Sequence, residues 1–479
     1  MRNRLLDLAF LIAGTLGAAT LGCVSADRQD SGGRGSPESE TPEIDEVSLA
    51  PGAVTPAAIL QPFGITGIVG TGQSLSVGAQ APNFSAAATQ PHFNNLKLAL
   101  NGAQVPPFNA NAGALSLVPF VEPIRPLATT FPSAYPPNLY GETFHAAMAA
   151  QVTNLAHQAG AADYQQVHTV VGESGQGMSV INKTAHEVVS GGTSTGRAYA
   201  ATLFEASAIK RLAAARGKTY GIGAIVLTHG ETDSGNTGYE AAMFQLWTDY
   251  NNDLRAITGQ SQSIPLITSQ QHSFGFTAGQ RTPVAPATIA EWRAGVDHPN
   301  NIICAGPKYQ YPYASDNIHL VTRGYELLGE KYAEVYFQRV ALGASWQPLQ
   351  PISVTRSGNV VTVRFHVPNP PLAWDTALPA PHQGPLLTEW RNGRGFELRT
   401  GNTAIVINAV QIVNDTVQIT AASTVPSGAI VGYAATSDGV ALQGVSRRWG
   451  KLIDSDRTVG MFTGQAQPNY AVAFELTVP

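Results

Sequence analysis

Five short apolar runs, each bounded by Gly or polar residues and separated by helix-length periodic segments, constrain this chain more than any other feature. They lie at 65 to 70 (ITGIVG), 167 to 172 (VHTVVG), 222 to 228 (IGAIVLT), 264 to 268 (IPLIT) and 301 to 305 (NIICA). All five are too short for buried helices and too continuously apolar for half-exposed strands, so they read as strands covered on both faces. Between them, Phe144, Met148, Val152 and Leu155 share one helical face. Leu203, Ala206 and Leu212, then Met243, Trp247, Tyr250 and Leu254, and finally Tyr325, Leu328, Tyr332 and Val335 do the same. Strand and helix in alternation predict an α/β domain with a doubly wound parallel sheet in a three-layer, flavodoxin-like arrangement. Its functional residues are expected beyond the C-terminal ends of the strands.

After Gln350 the texture changes. Val360 to Phe365, Ala404 to Ile407, Thr416 to Ile419 and Ala429 to Tyr433 are short Val/Ile-rich runs between Gly, Asn, Asp and Pro turns. No helix-length pattern accompanies them, which predicts a smaller all-β domain, a β-sandwich, over 346 to 479. Trp374, Trp390 and Trp449 in this part fit either core packing or a sugar-stacking platform.

The N-terminal end reads differently. Arg2 and Arg4 precede an apolar stretch from Leu8 to Leu21 that fits a signal-peptide core and falls short of the ~20 residues of a membrane-spanning helix. Thr20-Leu21-Gly22-Cys23 is similar to a bacterial lipoprotein cleavage site, so 1 to 22 is expected to be removed and Cys23 lipidated. An ordinary signal peptide with an incidental Cys is the alternative, and it would give a secreted soluble protein. The only other cysteine, Cys304, sits in a predicted buried strand and is most simply a core residue. Residues 24 to 48 carry seven acids against two bases in a Ser/Gly/Pro/Glu setting, an acidic tether over 23 to 57 that cannot bury enough apolar surface to fold. The expected location is the bacterial cell envelope, held to the membrane through the lipid. With 28 Lys and Arg against 33 Asp and Glu and no basic cluster, a nucleic-acid partner is excluded.

Four segments carry residues able to do chemistry. Gly72-Gln73-Ser74 follows the first strand, where a Gly-rich turn can hold a nucleophilic Ser exposed; by itself it also fits a turn Ser or helix N-cap. Gly172 to Ser179 follows the second strand, its glycines allowing backbone N–H groups to face an oxyanion. His229-Gly230-Glu231-Thr232-Asp233 follows the third. Asp316-Asn317-Ile318-His319 precedes the last helix, and an Asp three residues before a His can hold one ring nitrogen while the other activates a Ser.

In order and spacing these four blocks resemble the SGNH hydrolase superfamily and, within it, the sialate O-acetylesterase-like branch, carbohydrate esterase family 6. The resemblance covers roughly residues 60 to 340, making 58 to 345 the expected esterase domain. It implies Ser74 as nucleophile, His319 as general base and Asp316 as its orienting carboxylate, with the Ser74 and Gly177 amides as oxyanion donors. That branch has Gln-Gly-Glu where this chain has His229-Gly230-Glu231, so the side-chain oxyanion donor falls to His229, with Gln73 and Glu231 supporting. Thr232 stands where the superfamily has Asn. The implied function is removal of acetyl or similarly short acyl groups from carbohydrate through an acyl-enzyme, with no metal or organic cofactor. The competing class is a surface carbohydrate-binding or adhesion lipoprotein whose altered oxyanion block is inactive.

Overall fold

The structure, a computed structural model, describes residues 63 to 479 except 105, 128 to 139, 190, 191, 196 and 441. The expected signal segment, Cys23 and the acidic tether lie outside the described residues. All five runs form strands: β1 (Ile65–Gly72), β4 (Gln166–Gly172), β7 (Tyr220–Thr228), β8 (Leu266–Gln270) and β9 (Ile302–Pro307). Two short strands join them, β2 (Leu96–Ala99) and β3 (Ser116–Pro119), and a hairpin, β5 (His186–Val189) with β6 (Gly192–Thr195), stands apart.

The main sheet has seven strands in the order β3-β2-β4-β1-β7-β8-β9. It is not wholly parallel as expected, because β3 runs antiparallel on β2 at one edge. The edge pair escapes a search for continuous apolar runs because its residues alternate between buried and partly exposed. Along β7, Ile225 and Leu227 pack toward α3 (Arg197–Ala214), α4 (Tyr239–Thr258) and α5 (Pro286–Asp297). Ala224 and Val226 point the other way, toward α1 (His145–Gln158) and α6 (Thr322–Tyr336). A four-residue helix, α2 (Met178–Ile181), completes the set. Among the described residues no helix is long and apolar enough to cross a membrane.

The chain leaves β1 toward β4 on one side and later returns to place β7 on the other. Such a reversal opens a crevice beyond the carboxyl end of β1.

Beyond residue 350 every pairing is antiparallel. β10 (Gln350–Ser357), β11 (Val360–His366), β15 (Ile407–Val413) and β16 (Thr416–Ala421) form one sheet in the order β10-β11-β16-β15. Facing it is a sheet of β13 (Phe396–Thr400), β14 (Thr403–Ala404), β17 (Ile430–Tyr433) and β19 (Phe474–Thr477). Val361, Val363, Val417 and Ile419 of the first share a core with Phe396, Leu398, Val431 and Phe474 of the second, as the alternating pattern requires of a sandwich. Trp390 and Trp449 belong to this core, with Trp374 packed against it, so the three do not form an exposed platform.

That core does not stop at the sandwich. Trp292, Cys304 and Tyr309 of the α/β part are members of it. The Gln270 side chain, at the end of β8, donates to the Ala473 carbonyl (3.0 Å) and accepts from its amide (2.8 Å), as a strand neighbour would. Cys304 is a free core thiol, pushed up to about 12 by burial.

Candidate active site

Three strand ends meet at one level. In register, Gly72 lies between Gly172 of β4 and Thr228 of β7, so the loops that follow begin side by side. Gly72 has φ +140°, and a Cβ there would stand 2.1 Å from the Thr228 carbonyl oxygen, which leaves glycine as the residue that fits. The chain then turns sharply. The Ser76 amide and hydroxyl donate to the Gln73 carbonyl (2.8 and 2.6 Å), and the Val77 and Ala79 amides donate to that of Ser74 (3.2 and 3.1 Å). Ser74 is thereby fixed at the head of a single 3-10 turn, 5% exposed. Gln73 ties this turn to the neighbouring loop, its amide donating to the Thr228 carbonyl and its side-chain oxygen accepting from the Thr232 amide (both 3.2 Å).

The turn before α6 delivers the other two members. Asp316 Oδ1 accepts the Ile318 and His319 amides (2.9 and 3.0 Å), while Oδ2 lies 2.7 Å from His319 Nδ1. The opposite ring nitrogen, Nε2, lies 2.8 Å from Ser74 Oγ. A carboxylate on Nδ1 selects the tautomer with its proton there, leaving Nε2 as the acceptor for the serine hydroxyl. Burial pushes the Asp316 carboxyl upward, but the hydrogen bonds from His319 outweigh it and hold the group below the usual carboxylate range. Ser74 and His319, read from separate segments 245 residues apart, meet with Asp316 in one continuous hydrogen-bonded chain.

The loop after β4 carries Gly177. Among the described residues neither its amide nor that of Ser74 has a hydrogen-bond acceptor, as two oxyanion donors require. Asp233 fastens this loop: its Oδ2 accepts the Met178 amide at 2.5 Å, and its carboxylate lies just over 3 Å from where a Cβ on Gly177 would stand.

His229 is placed otherwise than expected. Its ring is fully buried, Nε2 sits 3.0 Å from the Gln176 carbonyl and Nδ1 2.7 Å from the Tyr239 hydroxyl. With Nε2 donating to a carbonyl and Nδ1 engaged by a hydroxyl, the ring has no N–H to turn toward an oxyanion. Instead it braces the Gly177 loop from below. Glu231 is buried as a supporting residue, ion-paired at 3.1 Å to Lys308, which is itself 1% exposed. Burial lowers Lys308, yet Glu231 and Glu291 more than offset this and raise it above the ordinary lysine value. Glu291 in turn packs against Gly230, whose φ of +111° exposes the bare backbone a Cβ would block at 2.4 Å.

Tyr239, Glu291 and Lys308 are thus site-supporting residues absent from the sequence-derived set, and Asp233, though part of the His229 to Asp233 block, was given no role there. Lys308 could have been flagged by the signal that marked His229, a polar side chain directly after a buried strand; Tyr239 and Glu291 lie within helices and give none. Among the described residues no group of three or more His, Cys, Asp or Glu is placed to hold a metal ion.

No family model and no curated protein matches the chain. Among solved structures it is similar to a carbohydrate acetylesterase from Xanthomonas citri, with a TM-score of 0.53 at 12% identity over 86% of this chain and 80% of that one. It also matches an Arabidopsis thaliana protein (TM-score 0.40, 16% identity, 57% of this chain and 99% of that one) and NanS (0.38, 10%, 57% and 97%). The span of the Xanthomonas match exceeds what the α/β part alone can supply, so the chain shares its fold through both the α/β sheet and the antiparallel region that follows it.

Proposed function

We propose that this protein is a serine esterase that removes acetyl or similarly short acyl groups from carbohydrate. The observation that carries the reading is the 2.8 Å contact from His319 Nε2 to Ser74 Oγ, with Asp316 at 2.7 Å on the far ring nitrogen. Ser74 Oγ attacks the ester carbonyl carbon as its proton passes to His319 Nε2, and the imidazolium that forms is stabilised by Asp316. The oxyanion is held by the Ser74 and Gly177 amides. Collapse expels the sugar alkoxide, which takes the proton from His319 and leaves acyl-Ser74. Water, deprotonated by the same ring, releases the carboxylic acid and restores the hydroxyl.

Carbohydrate as the alcohol part of the ester is supported by the fold shared with the Xanthomonas acetylesterase. Export and lipid anchoring at Cys23 belong to the same reading and rest on the apolar Leu8 to Leu21 stretch and the Gly22-Cys23 junction. The deciding experiment is labelling by a serine-directed phosphonate: modification at Ser74, lost in Ser74→Ala, supports the reading, and an unmodified Ser74 in protein that turns over 4-nitrophenyl acetate removes it. For the anchor, Cys23→Ser should move the protein from the membrane fraction to the soluble exported fraction, since stable attachment needs two or more acyl chains.

A further inference from the structure

The turn that carries Asp316 and His319 closes on itself. The Asn317 amide donates to the Ala314 carbonyl (2.9 Å), the Ala314 amide donates to the His319 carbonyl (2.8 Å), and Tyr313 pairs with Leu320 across the base. Together with the Asp316 carboxylate on the Ile318 and His319 amides, these bonds give the turn its shape. They do not set where it stands relative to Ser74, because each of them lies within residues 313 to 320. On the α6 side the chain is held to the loop after β1: the Thr322 and Tyr325 hydroxyls donate to the Asn83 and Ala79 carbonyls (2.8 and 2.7 Å). The tip of the turn needs a second hold.

Asn317 provides it from between the two catalytic residues. Its φ of +54° is a left-handed conformation that Asn tolerates, and it reverses the chain between Asp316 and His319. Asn317 is 5% exposed, while Asp316 and Ile318 on either side are partly exposed. Its side-chain amide donates to two carbonyls of the antiparallel region, those of Leu442 and Val445 (2.7 and 2.8 Å). The Tyr313 amide adds a third bond, to the Gly444 carbonyl (3.2 Å). These acceptors stand on a braced wall. The Val445 amide closes a turn on the Leu442 carbonyl (3.2 Å), and three residues on, the buried Arg448 guanidinium donates to the Ala435, Phe274 and Pro283 carbonyls (2.8, 2.8 and 3.0 Å) and to that of Gly275. Two donors on one short side chain are what a primary amide offers; an ionised carboxylate has none.

We infer that Asn317 is a positioning residue: it clamps the Asp316–His319 turn to the antiparallel region, and that region thereby sets the 2.8 Å approach of His319 Nε2 to Ser74 Oγ. The effect on turnover rests on the esterase reading; the placement of the ring does not. Asn317→Gly tests it, because glycine keeps the left-handed backbone and removes only the clamp. Asn317→Asp, of the same shape, sets an acceptor against the two carbonyls and is the second variant. On 4-nitrophenyl acetate both should lose roughly 10- to 100-fold in kcat with KM little changed, the scale for a reacting group displaced by about an ångström. In a His319→Ala background Asn317→Gly should lower the residual turnover no further, since a residue that acts through His319 has nothing left to position. Unchanged kcat in both variants, or the same fold-loss with and without His319, overturns the role. The nitrogen NMR signal of His319 Nε2 in isotopically labelled protein reads the ring without turnover. Asn317→Gly should move this signal toward its position in Ser74→Ala, where the ring nitrogen has lost the serine hydroxyl; a signal left unmoved by Asn317→Gly overturns the clamp. If the unaltered protein hydrolyses no ester the esterase reading fails, and this signal alone then decides the clamp.

Discussion

In the proposed mechanism the Ser74 hydroxyl, the His319 imidazole and the Asp316 carboxylate act as a unit, so removing one removes most of what the three do together. Ser74→Ala should lower turnover of an acetyl ester on the order of 10³-fold or more, with an unchanged melting curve because the turn is held by backbone groups. Asp316→Asn keeps the loop's shape but loses the charge opposite the imidazolium, so steady-state kinetics should show kcat reduced far more than KM is raised. Normal turnover in Asp316→Asn alongside a crippled Asp233→Asn would mean that the wrong carboxylate has been assigned. Titration of stability offers a further residue-scale check. Burial pushes the Glu142 carboxyl up to about 8, against the downward pull of the Ser85 amide. An acid raised on folding binds its proton more tightly in the native state, so native stability falls as pH rises from about 4.5 toward 8. Glu142→Gln should make that decline of the melting temperature shallower, the buried Glu122, Glu205 and Glu334 carboxyls, also raised, supplying the rest; an equally steep decline in the variant would assign the effect elsewhere.

At the scale of elements, the loops after β4 and β7 hold each other. His229 supports the Gln176 carbonyl and Asp233 takes the Met178 amide, so the position of the Gly177 amide depends on residues more than fifty positions away. His229→Ala should therefore cost stability as well as turnover, since it leaves the buried Tyr239 hydroxyl unpaired at about 1 to 3 kcal/mol and frees the part-buried Gln176 carbonyl. His229→Gln, whose amide can donate to the same carbonyl, should recover much of both. Thermal melting beside kinetics distinguishes this from direct oxyanion donation: loss of kcat in His229→Ala with an unshifted melting temperature would return the ring to the oxyanion hole.

For the whole molecule, the sheet and the sandwich share side chains. Trp292, Cys304 and Tyr309 complete the core of the antiparallel region, and Asn317 anchors the loop between Asp316 and His319 to two of its carbonyls. The described chain should then unfold in one cooperative transition, because neither part retains its buried surface without the other. A calorimetric trace with two separate transitions, or a well-folded, active fragment ending at residue 345, would show that the two parts are energetically independent.

What the sequence determined by itself was local or periodic. Each of the five central strands is a continuous apolar run because both its faces are covered, and each chemical block directly follows such a run or precedes a helix, so Ser74, Asp316 and His319 stood out as candidates, with their roles implied by the resemblance of the four blocks together. Edge strands β2 and β3 lacked that signal because partial exposure leaves polar residues among the apolar ones. The role of His229 was not local either: a histidine at a strand end reads the same whether it faces substrate or a carbonyl. Only the approach of Gln176 and Tyr239 from other segments decided it. The same holds for the paired burial of Lys308 with Glu231, and for the placing of Leu442 and Val445 against Asn317 in the Asp316–His319 loop. A side chain's partners across the fold depend on how distant segments pack, and no spacing along the chain encodes that contact.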